Sequence, residues 1–200
     1  MKLMRYFFLF LMLSLNANAD GVYQSFLSSC KTIPLKVNRI FTKISFYQKD
    51  LVSQRVPFNA TFLRSVDGSI KIAPIVYIIP GSFSELKDDQ VESLMNLVNN
   101  AGFHAVVFPH PWSPTIINAR VNYIPGDIAK ESILIGHMIH YIDQNYGNSI
   151  IKERSVLMGI SSGSFLALAL AAQKNSLQPL PVFSRTILLA PPIDMHSSVQ

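Results

Sequence analysis

The sequence predicts an α/β fold with a doubly wound, mostly parallel sheet, and three observations lead to this prediction. Extended and helical signals alternate along the chain from residue 20 onward. Residues 72–79, IAPIVYII, are almost entirely apolar, which is typical of a strand buried inside a sheet. No internal repeat, low-complexity tract or linker interrupts residues 20–200. We therefore predict a single domain over residues 20–200.

The predicted sheet begins with two antiparallel strands. Residues 35–47 and 56–65 alternate between apolar and polar side chains well enough to be strands. Residues 66–69, VDGS, predict a turn that leads toward the strand at residues 72–79.

The first predicted helix spans residues 85–100. Its apolar residues recur at i, i+3, i+4 and i+7 and form one face, made by Val91, Leu94, Met95 and Val98. Gly102 stands where a C-cap glycine belongs, and residues 103–108 follow as a strand.

Irregular structure is predicted for residues 109–114, PHPWSP, because three prolines fall within six residues. Asp127 is predicted to cap a second helix that ends near Tyr146. The helical spacing recurs there in Ile135, Met138, Ile139 and Ile142.

A G-x-S-x-G motif is centred on Ser161. An apolar run at residues 155–158 leads into it, and small apolar residues at 165–172 leave it as a predicted helix. Strand, sharp turn and helix are the context that a nucleophile elbow requires. The turn exposes the serine hydroxyl and needs small neighbours, which Gly159 and Gly163 supply.

With this motif in this context, the sequence resembles the α/β-hydrolase superfamily of serine esterases and lipases. The resemblance implies that Ser161 is the nucleophile and that the backbone N–H of Ser162 is one donor of the oxyanion hole. Ser162 and Ser164 are weaker candidates for the nucleophile, because neither has a glycine two positions before and two positions after it. A tight strand-to-helix turn without chemistry is the alternative interpretation of the motif.

The resemblance places the second oxyanion donor in the loop after the third strand, where Gly81 allows close approach of the backbone. The N–H of Ser82 is the predicted donor, with Phe83 as the alternative. Pro80 stands where the family usually has a histidine. Gly81 also fits a simple turn in which Ser82 caps the next helix together with Glu85.

The family order is serine, then acid, then histidine, but only 39 residues follow Ser161. Residues 183–190 predict a sixth strand, so we expect the acid and the histidine beyond residue 200 and expect the domain to be incomplete at its C-terminus. Asp194 and His196 are the alternative pair, although they are separated by one methionine and poorly held to interact.

The remaining histidines are candidates for other roles. His104 lies within a predicted strand and is interpreted as a structural histidine, whereas His110 lies near the carboxyl ends of the strands, where substrate contact is an open alternative. His137, His140 and Asp143 have a spacing that could hold a metal, but a solvated helix face is the favoured interpretation.

Trp112 is the sole tryptophan. It is interpreted as packing its loop, with the lining of an acyl pocket above Ser161 as the alternative.

Residues 1–19 are predicted to be a secretory signal peptide. Lys2 and Arg5 precede a short apolar block at residues 6–15, and small residues lead up to Ala19. Cleavage before Asp20 would deliver the protein to the periplasm or the exterior, with no stable membrane span afterwards. An uncleaved anchor is the alternative.

Composition excludes nucleic acid as a partner. Net charge falls from +5 to +3 when Lys2 and Arg5 leave with the signal peptide, and no run of basic residues occurs. Cys30 is the only cysteine, so an intramolecular disulfide is excluded. A free thiol is favoured for Cys30 over a lipidated N-terminus.

Two functions remain open at the level of the sequence. The first is an exported serine hydrolase that acts on ester or related acyl bonds of a small-molecule substrate and needs no cofactor or metal. The second is a non-catalytic or truncated protein of the same fold without a complete triad.

Overall fold

The computed structural model of the protein describes residues 35–82, 89–172 and 183–189. The predicted signal peptide over residues 1–19 lies outside the described residues, as do Cys30, Asp194 and His196. Within the described part of the chain, six strands form a single sheet that is flanked by helices.

The sheet is mixed, with antiparallel strands on one side and parallel strands on the other. The strands are β1 (Arg39–Phe46), β2 (Val56–Leu63), β3 (Ile75–Ile79), β4 (His104–Val107), β5 (Val156–Ile160) and β6 (Arg185–Leu189). Their order is β1-β2-β4-β3-β5-β6; β2 pairs antiparallel with both β1 and β4, and the strands from β4 to β6 are parallel. Both the antiparallel start and the parallel remainder of the predicted sheet are confirmed.

Four α-helices connect or flank these strands in the described residues: α1 (Asp89–Asn100), α2 (Pro114–Asn118), α3 (Ile128–Tyr146) and α4 (Gly163–Ala172). Short 3-10 turns follow α3 at Gly147–Ser149 and Lys152–Arg154. Asp127 caps α3 as predicted, because its side chain accepts a hydrogen bond from the N–H of Lys130. Across the part of the chain that is described, every helix is too short or too polar to cross a membrane.

Helix α2 is a finding that the sequence did not predict. The prolines at residues 109–114 indicated a break in regular structure, yet Pro114 begins this short helix after Ser113. Proline is tolerated at the first helical position, because the N–H it lacks has no partner within the helix there.

The two faces of the sheet are covered by different helices. Along β3, Ile75, Tyr77 and Ile79 join the core that contains the buried residues of α3 and α4, whereas Val76 and Ile78 join the core under α1. This alternation follows from the two-residue period of a strand. The predicted apolar face of α1 is buried in the second core.

The strand register brings two loops together at one end of the sheet. Ile79, the last residue of β3, is paired with Gly159 near the end of β5. Because β3 and β5 are parallel and adjacent, the segment that starts at Pro80 lies beside the turn around Ser161. The site is built at this junction.

Candidate active site

Ser161 occupies a strained turn between β5 and α4. Its φ angle is 51°, in the left-handed region that residues with a side chain rarely adopt. The turn is held by a hydrogen bond from the N–H of Ser164 to the carbonyl of Ser161 (2.9 Å) and one from the N–H of Ser161 to the carbonyl of Leu189 on β6 (2.8 Å). Strain of this kind persists only where the surrounding structure enforces it.

The two glycines of the motif permit this turn because backbone and side chains pack directly against them. A methyl group on Gly159 would lie 2.6 Å from the carbonyl oxygen of Gly163 and 2.8 Å from Cβ of Ala167. A methyl group on Gly163 would overlap the carbonyl oxygens of Ile79 and Pro80. Any larger residue at either position would therefore separate α4 from β5 or from the end of β3.

Gly81, in the loop after β3, allows that loop to pack closely against Ser161. A methyl group there would lie 3.2 Å from Cβ of Ser161 and 3.7 Å from its hydroxyl oxygen. The loop after β3 therefore lies directly against Ser161.

The hydroxyl of Ser161 makes no hydrogen bond to any residue of the described segments, and the side chain is half-buried. The backbone N–H of Ser162 likewise has no hydrogen-bond partner among those residues. The hydroxyl of Ser161 and the N–H of Ser162 thus lie next to each other, and neither donates a hydrogen bond to a residue of the described segments.

The hydroxyl of Ser162 contacts the loop after β3. Its oxygen accepts a hydrogen bond from the N–H of Ser82 (2.7 Å) and lies 2.6 Å from the hydroxyl oxygen of Ser82. The predicted second oxyanion donor, the N–H of Ser82, is therefore occupied by a side chain. The alternative donor, Phe83, and the proposed capping partner, Glu85, lie outside the described residues.

His110 joins the same cluster. Its Nε2 lies 3.2 Å from the hydroxyl oxygen of Ser162, and its Nδ1 accepts a hydrogen bond from the N–H of Trp112 (3.1 Å). The ring is 2% exposed, and this burial lowers the pKa of His110 to about 4. The imidazole is therefore neutral at physiological pH.

Trp112 packs its loop, as the favoured interpretation of this residue predicted. Its indole ring meets the ring of His110 edge-on, with centroids 5.5 Å apart. Its indole N–H donates to Glu131 (2.8 Å), which also accepts from the N–H of Gly126 (2.7 Å). Glu131 is 1% exposed and thus ties the loop after β4 to the first turn of α3.

Sequence reasoning missed Glu131. Its only signal was a carboxylate in the first turn of a helix, which is ordinarily explained by the helix dipole. The partners of Glu131 are Trp112, before α2, and Gly126, after α2, and the sequence did not predict the course of these segments.

His104 is structural, as predicted. It is fully buried in β4, its Nδ1 accepts from the N–H of Leu63, and its Nε2 bonds the carbonyls of Lys71 and Ser149. Burial lowers the pKa of His104, which favours the neutral ring that these partners require.

The candidate metal residues on α3 do not converge. His137 and His140 are half-buried rather than fully solvated, and Asp143 forms an ion pair with Lys152 (2.8 Å). The described segments hold no group of three histidine, cysteine, aspartate or glutamate side chains that could bind a metal ion.

Solved esterase structures share this architecture. The carboxylesterase Cest-2923 from Lactobacillus plantarum WCFS1 has a TM-score of 0.54 at 18% identity, covering 78% of this chain and 58% of its own. Esterase Est22 has a TM-score of 0.59 at 13% identity, covering 90% of this chain and 54% of its own. A thermostable carboxyl esterase from Bacillus coagulans has a TM-score of 0.52 at 19% identity, with coverages of 74% and 43%.

The chain thus spans 43–58% of the length of these three esterases. Neither a protein-family model nor a curated protein matches the sequence. At these identities the likeness concerns the fold, and it confirms the predicted fold class.

Proposed function

We propose that this chain, which has the α/β-hydrolase fold, is a hydrolase of ester bonds with Ser161 as its nucleophile. One observation carries the proposal: Ser161 is held with a left-handed φ of 51° at the end of β5, and its hydroxyl makes no hydrogen bond to a described residue. Arg120 has a similar φ of 54° just after α2, so the angle at Ser161 supports the proposal through its combination with the G-x-S-x-G motif and the close contacts of Gly81, Gly159 and Gly163. The esterases that share the fold support an ester as the bond that is cleaved.

In the proposed reaction, the hydroxyl oxygen of Ser161 attacks the acyl carbon while a histidine takes the hydroxyl proton. The N–H of Ser162 stabilises the resulting oxyanion, and the alcohol leaves with a proton returned by the histidine. Water then attacks the acyl-enzyme and releases the acid. No cofactor enters this scheme.

His110 does not serve as the base in this scheme. Its Nδ1 accepts a hydrogen bond, so the proton of the neutral ring is on Nε2, the nitrogen that faces Ser162. A nitrogen that already carries a proton cannot accept another from a serine. We assign the base to a histidine outside the described residues, where this sequence has His196.

The proposal is tested with a fluorophosphonate probe, which reacts covalently with activated serines. We expect peptide mass spectrometry to locate the label on Ser161 and on no other serine. Labelling of a different serine would contradict the assignment of the nucleophile. Complete absence of labelling, under conditions that label a known esterase, would favour the non-catalytic alternative.

We also propose that the protein is exported. Ala17 and Ala19 occupy the small-residue positions that signal peptidase reads, after a positively charged start and a short apolar block. Expressed in a bacterial host, the protein should be recovered outside the cytoplasm with Asp20 as its first residue, which N-terminal sequencing would detect. An intact leader would indicate an anchor, and Cys30 as first residue with added lipid mass would indicate a lipoprotein.

A further inference from the structure

We propose that the side-chain hydroxyl of Ser82, rather than its backbone N–H, is the second oxyanion donor, and that His110 orients this hydroxyl through Ser162. The inference rests on the proposed function, because it assigns a role in the reaction at Ser161. It follows from the hydrogen bonds around the hydroxyl of Ser162.

The proton position on His110 follows from its two partners. The N–H of Trp112 donates to Nδ1, so Nδ1 carries no proton in the neutral ring. The buried ring stays neutral, because burial lowers its pKa to about 4. Nε2 therefore carries the proton and donates it to the hydroxyl oxygen of Ser162.

The direction in which Ser162 donates its hydroxyl proton follows from the two hydrogen bonds that its oxygen accepts. A hydroxyl oxygen accepts two hydrogen bonds and donates one. The N–H of Ser82 and the Nε2–H of His110 fill both acceptor positions of Ser162. Its own proton is left to point at the hydroxyl oxygen of Ser82, 2.6 Å away.

Ser82 is consequently a donor through its side chain. Its hydroxyl oxygen accepts from Ser162, so its own proton points away from Ser162. Its backbone N–H is already used by the oxygen of Ser162. Gly81 lies against Ser161, so the next residue, Ser82, is close to the proposed nucleophile in the fold. Among the described residues, the hydroxyl of Ser82 is therefore the donor of this residue that has no acceptor.

The hydrogen bonds that join His110, Ser162 and Ser82 are connected to helix α3 as well as to the loop after β4. Glu131 on α3 binds the indole N–H of Trp112, and the backbone of Trp112 fixes the tautomer of His110. His110 thus acts as a positioning residue, since it reaches the substrate only through two serines.

The first test compares two substitutions of Ser82 in the full chain, with hydrolysis of para-nitrophenyl acetate as the readout. Ser82→Ala retains the backbone N–H but removes the hydroxyl, and it should lower kcat by about 10²-fold with little change in KM. Ser82→Thr retains both groups and should keep most of the activity. An unchanged kcat in Ser82→Ala, or equal losses in both variants, would overturn the inference.

The second test compares two substitutions of His110. A glutamine places an N–H donor near the position of Nε2, whereas a leucine fills the site without a donor. We expect His110→Leu to lower kcat about tenfold, the effect of roughly one hydrogen bond, and His110→Gln to recover most of the loss. Equal losses in both variants would show that His110 only fills space.

Nitrogen NMR of histidine-labelled protein gives a readout that does not depend on activity. The ring of His110 should show a protonated Nε2 and an unprotonated Nδ1 from neutral pH down to about pH 5. The opposite tautomer would overturn the inference even if the enzyme is active. A wild-type protein that hydrolyses no ester would instead count against the proposed function.

Discussion

Replacement of Ser161 by alanine should lower ester hydrolysis by about 10⁴- to 10⁶-fold in kcat, while the protein stays folded. The hydroxyl oxygen of Ser161 forms the acyl-enzyme bond in the proposed reaction, so no other group can take its place. The N–H of Ser162 remains after the substitution and should support a small residual rate. Initial rates with para-nitrophenyl acetate, at saturating substrate, measure the effect.

Ser164→Ala is the matched control for this experiment. Ser164 lies in the same motif, but its hydroxyl contacts the carbonyl of Leu189 at 3.4 Å and has no role in the reaction. Its substitution should leave kcat within about threefold of the wild type, since a long hydrogen bond contributes little. Activity that survives Ser161→Ala but not Ser164→Ala would refute the choice of nucleophile.

Replacement of Gly163 by alanine should destabilise the fold by about 3 kcal/mol or more. The added methyl group would overlap the carbonyl oxygens of Ile79 and Pro80, which are backbone atoms that cannot rotate away. The start of α4 would have to move away from the end of β3. Denaturant unfolding, followed by circular dichroism, measures the change in the free energy of unfolding.

Gly147→Ala is the control for the loss of a glycine as such. Gly147 has ordinary helical angles, and a methyl group there would contact only the ends of the Asp143 and Lys152 side chains at 3.4–3.5 Å. We expect this variant to be neutral or more stable by up to about 1 kcal/mol, because alanine restricts the unfolded chain. Equal destabilisation by both substitutions would contradict the packing argument at Gly163.

The helices and strands were largely predictable because their apolar residues follow regular periods. Helix α3 was placed correctly by the cap at Asp127 and by its buried apolar face. Helix α2 was missed, because a proline in the sequence can either interrupt a helix or occupy its first position, and Pro114 does the latter. Only the backbone around Pro114 distinguishes the two cases.

The candidate site was predictable in part. The motif placed Ser161 in a sharp turn, and the structure shows that turn with a left-handed φ. The N–H of Ser82 was predicted as an oxyanion donor and is instead bonded to Ser162. That contact joins residues 80 positions apart in the chain, so no local pattern contains it.

The sequence by itself determined the fold class, the order of the elements apart from α2, and the turn that holds Ser161, because periodicity and a short motif are local properties. The tertiary structure decided which side chains contact the next residue, Ser162. The pairing of β3 with β5 brings Ser82 to Ser162. The hydrogen bond from Trp112 to Glu131 holds the loop that brings His110 to Ser162. Such contacts depend on strand order and loop path, which are set by packing over the whole domain.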